Sequence, residues 1–304
     1  MEATYLILSG TSKAATTSVF NYLADHPNVC QSNIKQTNYF LDAETQSLLG
    51  LHSTHPYTDD MGNFENYFSS QTAQQFKLEA TPDYMYSNES AIRLKAFSSK
   101  YKSKLVFILR DPVSRFKSWY NFGKQQGDLP ETTSFQEFYE RSKNYKGNSS
   151  PSLMAFDTGF YSKYLEKFLK EFDPEIIEIF FYEDLISNPS SFIKDFCKRV
   201  GLDPSYYNEY DFQHFNKTVK TRSKSLNALY NAFRSFYIKY LFKGKLGIKV
   251  GQILKSILSP LYQKLNTQKL ASKSINDDVL FQLEKDYKQE KQQILEITSK
   301  TPWN

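Results

Sequence analysis

The sequence predicts an α/β protein: a central, mostly parallel sheet flanked by helices, with a helical C-terminal part. Three observations carry this expectation. Short apolar runs alternate with amphipathic helical patterns between residues 4 and 200. The runs are nearly continuous, as strands covered on both faces require. The 304 residues are 40% hydrophobic and 16% aromatic, enough for a sizeable core and too apolar for a disordered chain.

The elements follow in order. Strands are expected at Thr4–Leu8, Phe76–Glu79, Leu105–Leu109 and Ile176–Phe181, with helices at Thr16–Ala24, Pro112–Phe122, Ser162–Phe172 and Pro189–Val200. Asp111 and Asn188 stand as caps before Pro112 and Pro189, and Gly201 lies just past the last helix. Residues 275–298 read as an amphipathic helix with Ile275, Val279, Leu283, Tyr287 and Ile294 along one stripe. Irregular stretches are expected at 41–64, 123–151 and 201–225. Such loops are commonly functional and gather where the strands of an open sheet end. No linker composition interrupts the chain. A single domain over 1–304 is expected, with a core over about 1–225 and a basic helical part over about 226–304.

Charge is unevenly spread. Residues 217–270 hold twelve Lys plus Arg and no acid, leaving 26 basic residues against 33 acidic ones elsewhere. That segment reads either as a solvated helical face or as a wall facing a polyanion. Its stretch from Phe236 to Tyr262 reads as packed surface helices in preference to a helix lying on lipid. No nucleic-acid-binding module is recognisable. The two cysteines, Cys30 and Cys197, do not form a disulfide scaffold, and no leader or spanning segment is evident, so a cytoplasmic setting is expected. No metal-ligand pattern such as HExxH occurs, so a metal-independent reaction is expected.

The stretch "LILSGTSKAATTSVFNYL", residues 6–23, is a strand, a small-residue loop and a helix. The open N–H groups of a first helical turn and the helix dipole favour an anion there. Lys13 and the hydroxyls of Thr16, Thr17 and Ser18 add donors, while Ala14 and Ala15 allow close approach. The nucleoside-triphosphate loop, GxxxxGK[ST], places its lysine directly before the hydroxyl residue. Here Lys13 precedes the helix, which counts against a nucleotide kinase. A second stretch, "LVFILRDPVSRFKSWYNF", brings Arg110 to a strand's carboxyl end and Ser118 onto the next helix. Together they suit a second phosphate. Pairing of Arg110 with Asp111 or another carboxylate is the alternative. Trp119 and Tyr120 read as core.

"SGTSKAATTSVFNYL" and "ILRDPVSRFKSWY" together resemble the two cofactor signatures of the sulfotransferase family, whose donor is 3′-phosphoadenosine-5′-phosphosulfate (PAPS). "HPNV", "IKQTNYF", "LEATPDYMY", "FFYEDLISNP" and "VGLDPSYY" follow in the family's order, so the likeness covers most of residues 4–225. The ending "TPWN" is similar to bacterial members of the carbohydrate, heparan-sulfate-like type. The resemblance implies a P-loop-like fold and sulfuryl transfer from PAPS, without a metal, to a hydroxyl or amine of a carbohydrate or small-molecule acceptor. It implies that Lys13 and the backbone from Ser12 to Ser18 hold the 5′-phosphosulfate. Arg110 and Ser118 would hold the 3′-phosphate, Tyr182 would lie beside the adenine or in the core, and Lys220 and Arg222 would belong to a basic loop over the 3′-phosphate. Carbohydrate-type members carry a glutamate as general base where this chain has Gln36, which takes no proton as a carboxylate does. His52 and His55 are candidate substitutes, with Glu79 and Asp83 as further ones, and Gln36 is expected to orient the acceptor. The alternative is a protein that binds the product nucleotide (PAP) without transfer. The oligomeric state is left open.

Overall fold

The structure, a computed structural model, describes residues 3–49, 51, 53–59, 62–68, 74–147, 150–212, 219–221, 267–269, 277–300 and 302–303. In chain order the elements are β1 (Thr4–Gly10), α1 (Thr16–Ala24), β2 (Val29–Gln31), α2 (Ala43–Leu49), α3 (Gly62–Glu65), β3 (Phe76–Ala80), α4 (Asn88–Ser98), β4 (Ser103–Leu109), α5 (Pro112–Gln126) and α6 (Phe135–Lys143). They continue with α7 (Tyr161–Glu171), β5 (Ile177–Phe181), α8 (Tyr182–Ser187), α9 (Pro189–Val200), β6 (Val219–Thr221), β7 (Thr267–Lys269) and α10 (Asp277–Thr298). Strands β1–β5 form one parallel sheet in the order β2-β3-β1-β4-β5, and β6 and β7 form a separate antiparallel pair.

The apolar runs are continuous because both faces of the sheet are covered. Tyr5 and Ile7 of β1, with Leu105, Phe107 and Leu109 of β4, pack against α4 and α7 on one face. Leu6, Leu8, Val106 and Ile108 point the other way, onto α1 and α9. A third cluster joins α5, α6 and α10. Caps fall where the sequence places them. Asp111 accepts the Ser114 amide at 2.7 Å and Asn188 the Ser191 amide at 2.9 Å, while α9 ends at Gly201 with φ 84°.

Several elements depart from expectation. Strand β2 is three residues long, too short to show a period. Helices α2, α3 and α6 occupy stretches expected to be irregular, and they too are short. Helix α4, capped by Ser87, carries a mixed polar pattern. Along α10 the expected stripe appears as buried Val279, Leu283, Tyr287 and Ile294, joined by buried Glu290. Glu290 receives the Ser162 amide at 2.8 Å at the start of α7, where a carboxylate suits the helix dipole. Ile275 lies outside the described residues.

The chain leaves β1 toward β2 and β3 on one side, and reaches β4 and β5 on the other. Their divergence makes a crevice at the carboxyl ends of β1 and β4, where open parallel sheets take ligands. Gly10 closes β1 there. A Cβ on it would lie 2.8 Å from Met85 Sδ and 2.9 Å from the Phe107 ring, so the loop leaves the sheet tightly packed.

Candidate functional site

The loop after β1 turns through Lys13 at φ 72° and Ala15 at φ 58°, both left-handed. Helix α1 has no side-chain cap. Among the described residues, the amides of Ala15, Thr16 and Thr17 have no backbone acceptor. A turn that leaves successive amides open at a helix start makes an anion-binding concavity. Thr16 and Ser18 are buried, and Ser12, Ala15 and Thr17 half-buried; Ala14 is fully covered.

The Lys13 ammonium rests 3.7 Å above the centre of the Phe122 ring. Burial, with the nearby Arg110 and Arg115 charges, pulls its pKa down to about 8. Arg110 donates to the Lys13 carbonyl at 3.0 Å, and its guanidinium covers the Tyr182 ring at 4.3 Å. Its Nε is buried without a partner. Pairing of Arg110 with Asp111 does not occur. Asp111 instead meets Lys291 of α10 at 2.9 Å and caps α5. Glu183 is also engaged, accepting from the Asp111 amide and the Trp303 indole, each at 2.9 Å. Ser118 is half-buried on α5, and Trp119 is core.

Arg115 is the residue that sequence reasoning missed. It is fully buried yet donates to the Ser12 carbonyl at 2.9 Å, the Ala155 carbonyl at 3.4 Å, and the Tyr86 and Thr158 hydroxyls at 3.0 Å. It pins the Lys13 loop from beneath. Among the described residues, no carboxylate forms an ion pair with Lys13, Arg110 or Arg115.

A second loop, residues 35–38, lies against the end of β3. The Gln36 amide donates to the Ala80 carbonyl at 3.0 Å, and both Gln36 and Asn38 are left-handed. Buried Glu79 clamps this turn, accepting from the Thr37 amide at 3.2 Å and from the Thr37 and Thr81 hydroxyls at 2.9 and 2.6 Å. Burial pushes the Glu79 carboxyl up to about 7 against those donors. Asp83, just beyond β3, accepts from Ser12 Oγ at 3.1 Å. His55 packs edge-on against Tyr67 at 4.8 Å, and the Tyr67 hydroxyl accepts from the His55 amide at 3.0 Å. His52 and Arg222 lie outside the described residues. Lys220 falls on β6, but its side chain is outside the described part. A cavity of about 790 Å³ opens elsewhere, along the free edge of β5 between Phe172 and Phe192.

The Lys291–Asp111 contact ties the C-terminal helix to the turn that carries Arg110. Both side chains are mostly covered, at 13% and 16% exposure. The variant Lys291→Met should lose about 2 kcal/mol of stability, between the values for exposed and buried pairs. Urea unfolding measures this, and an unchanged midpoint would remove the pair from the forces holding that turn.

An open parallel sheet whose crevice carries amides and unpaired cations defines a phosphate-gripping α/β protein. Residues 3–236 match the family described as "Sulfotransferase domain", and the chain belongs to that family. It is 26% identical over 206 residues to the Mus musculus "Heparan sulfate glucosamine 3-O-sulfotransferase 3B1", covering 66% of this chain and 48% of that protein. It is 27% identical over 206 residues to the Homo sapiens "Bifunctional heparan sulfate N-deacetylase/N-sulfotransferase 3", covering 66% of this chain and 22% of that protein. The chain thus spans about half or less of these relatives' length. A sulfotransferase from Alicyclobacillus acidocaldarius shares the fold, with a TM-score of 0.55 over 77% of this chain and 91% of that one at 20% identity.

Proposed function

We propose that this chain is a PAPS-dependent sulfotransferase acting on a hydroxyl or amine of a carbohydrate or small-molecule acceptor and releasing PAP. The excess of positive charge at the crevice carries the reading. Lys13, Arg110 and Arg115 converge with no ion pair to a carboxylate among the described residues, and Arg110 leaves a buried donor unused. Asp83, which faces Arg115, offsets at most one of the three charges. Such a set is costly to assemble unless an anion joins it. A nucleotide with phosphates at both ends fits it. Lys13 and the amides of Ala15, Thr16 and Thr17 hold the 5′-phosphosulfate, Arg110 and Ser118 hold the 3′-phosphate, and Tyr182 borders the adenine. When bound, PAPS supplies the sulfuryl group and leaves as PAP. Charge grows on the departing phosphate oxygen, and the Lys13 ammonium with the fixed amides stabilises it. The relatives' names, both on heparan sulfate, support a carbohydrate acceptor, and they span O- and N-transfer. Cys30 and Cys197 are both buried and not joined in a disulfide, which supports a cytoplasmic setting. Gln36 favours a second reading, a PAP-binding protein without transfer. Absence of any sulfated product across a broad acceptor panel would support it.

Calorimetry with PAP tests the assignment. Below about pH 8 Lys13 of the free protein carries its proton, and binding is at full strength. Above that pH the free lysine is neutral and binding must restore the charge. Affinity should then fall by up to about tenfold per pH unit. At pH 8, titrations in buffers of different ionisation enthalpy should register uptake of about half a proton. A dissociation constant unchanged between pH 7 and 10 would remove Lys13 from the phosphosulfate end. No binding of PAP at all would sink the sulfotransferase reading.

A further inference from the structure

We propose that Asp83 is the general base of the transfer, taking the acceptor's proton on its Oδ2 oxygen. The proposal rests on the sulfotransferase reading above. As the acceptor's oxygen or nitrogen bonds to sulfur, the sulfur–oxygen bond to the 5′-phosphate breaks and its electron pair stays on the phosphate. One proton leaves the acceptor, passes to Asp83 and from there to solvent. A positioned base at the crevice serves this step.

The groups bordering the crevice differ in what they have left to give. Lys13 must keep its proton, and the Gln36 amide takes none. Glu79 takes three donors on Oε1 to hold the 35–38 turn. Although its Oε2 has no partner among the described residues, Glu79 is fully buried, whereas Asp83 is half-buried. Asp111 and Glu183 are spent on Lys291, the Ser114 amide, the Asp111 amide and Trp303. His55 touches Tyr67, and among the described residues no contact joins it to the Lys13 loop. Asp83 is half-buried in the 3-10 turn Pro82–Tyr86, directly past the carboxyl end of β3. Its Oδ1 accepts from Ser12, the residue before Lys13, and among the described residues its Oδ2 has no hydrogen bond.

The charged and titratable groups facing Asp83 are Arg115 from α5, Lys35 from the loop before α2 and the Tyr86 hydroxyl. Burial pushes the Asp83 carboxyl up, while the Ser12 hydroxyl and the Arg115 and Lys35 charges pull it back. The net upward direction suits a base working near neutrality.

The test uses the full chain and Asp83→Asn, which keeps an oxygen for Ser12 but takes no proton. Carboxyl carbon resonances of aspartate-labelled protein, with Asp83 identified by its loss in the variant, should show it titrating above the ordinary aspartate range. PAP affinity should stay within about threefold, since the phosphate grips are intact. Release of labelled sulfate from PAPS, to N-sulfated heparan oligosaccharides or to water, should fall on the order of 10²–10⁴-fold. The acid limb of its pH profile should vanish. An ordinary titration, a variant rate within about fivefold of the parent, or no sulfate release by the parent to either acceptor overturns the proposal. Loss of PAP affinity together with rate overturns it too, marking Asp83 as support for the loop. A parent protein that fails to bind PAP is a different result, and it removes the sulfotransferase reading beneath the proposal.

Discussion

Lys13→Ala should slow sulfuryl transfer by on the order of 10²–10³ while the fold remains intact. The loss is large because the ammonium is held for charge that appears only as the phosphate leaves. It rests on Phe122, and no ion pair fixes it among the described residues, so it is available to a ligand. The fold survives for the same reason. Burial and two guanidinium neighbours oppose the Lys13 charge, so its removal relieves repulsion in the unliganded protein. Both residues carry a Cβ, so the left-handed turn at φ 72° is no harder for alanine to adopt. The melting temperature without ligand should hold or rise slightly, and the rise produced by PAP should shrink. Those opposite movements separate an electrostatic role from a structural one. A rate within about tenfold of the parent would take Lys13 out of the chemistry.

The parts of this site visible in the sequence are those written in local signals. A buried strand, small loop residues and a helix start announce the Lys13 loop, and the run into "RDP" announces Arg110 at a strand end. Helix α9 matches its expected bounds because stripe, cap and stop agree, and α1, which has no side-chain cap, matches through its apolar pattern alone. Arg115 was missed although a hint was present. It shares a face with buried Trp119 four residues on, and a charge on a buried face must find acceptors somewhere. Those partners, Ser12, Tyr86, Ala155 and Thr158, come from turns far apart in sequence. Asp111 likewise has its cation 180 positions downstream, at Lys291, where no local pattern points back to it. The short β2, α2 and α3 escaped because one or two turns, or three extended residues, show no period above chance.

Arg115→Met should be the most destabilising single change at this site, costing about 3–5 kcal/mol. The side chain is fully buried, and its guanidinium reaches four oxygens on three separate segments. Methionine fills much of the volume, so the penalty comes mainly from oxygens left without donors. At roughly 2 °C per kcal/mol for a chain of this size, the melting temperature should fall by about 6–10 °C. PAP affinity should fall as well, because the Ser12 carbonyl loses the donor that seats the Lys13 loop. Arg115→Lys separates charge from geometry. It restores the positive charge, but a single ammonium cannot span the Ser12 carbonyl, the Ala155 carbonyl and the Thr158 hydroxyl as the planar fork does. If geometry dominates, lysine should recover little of either stability or affinity. A lysine variant that melts and binds PAP like the parent would show that charge beneath the loop is what matters, and the loop would then owe its shape to Asp83, Ser12 and the packing of Gly10 on Met85.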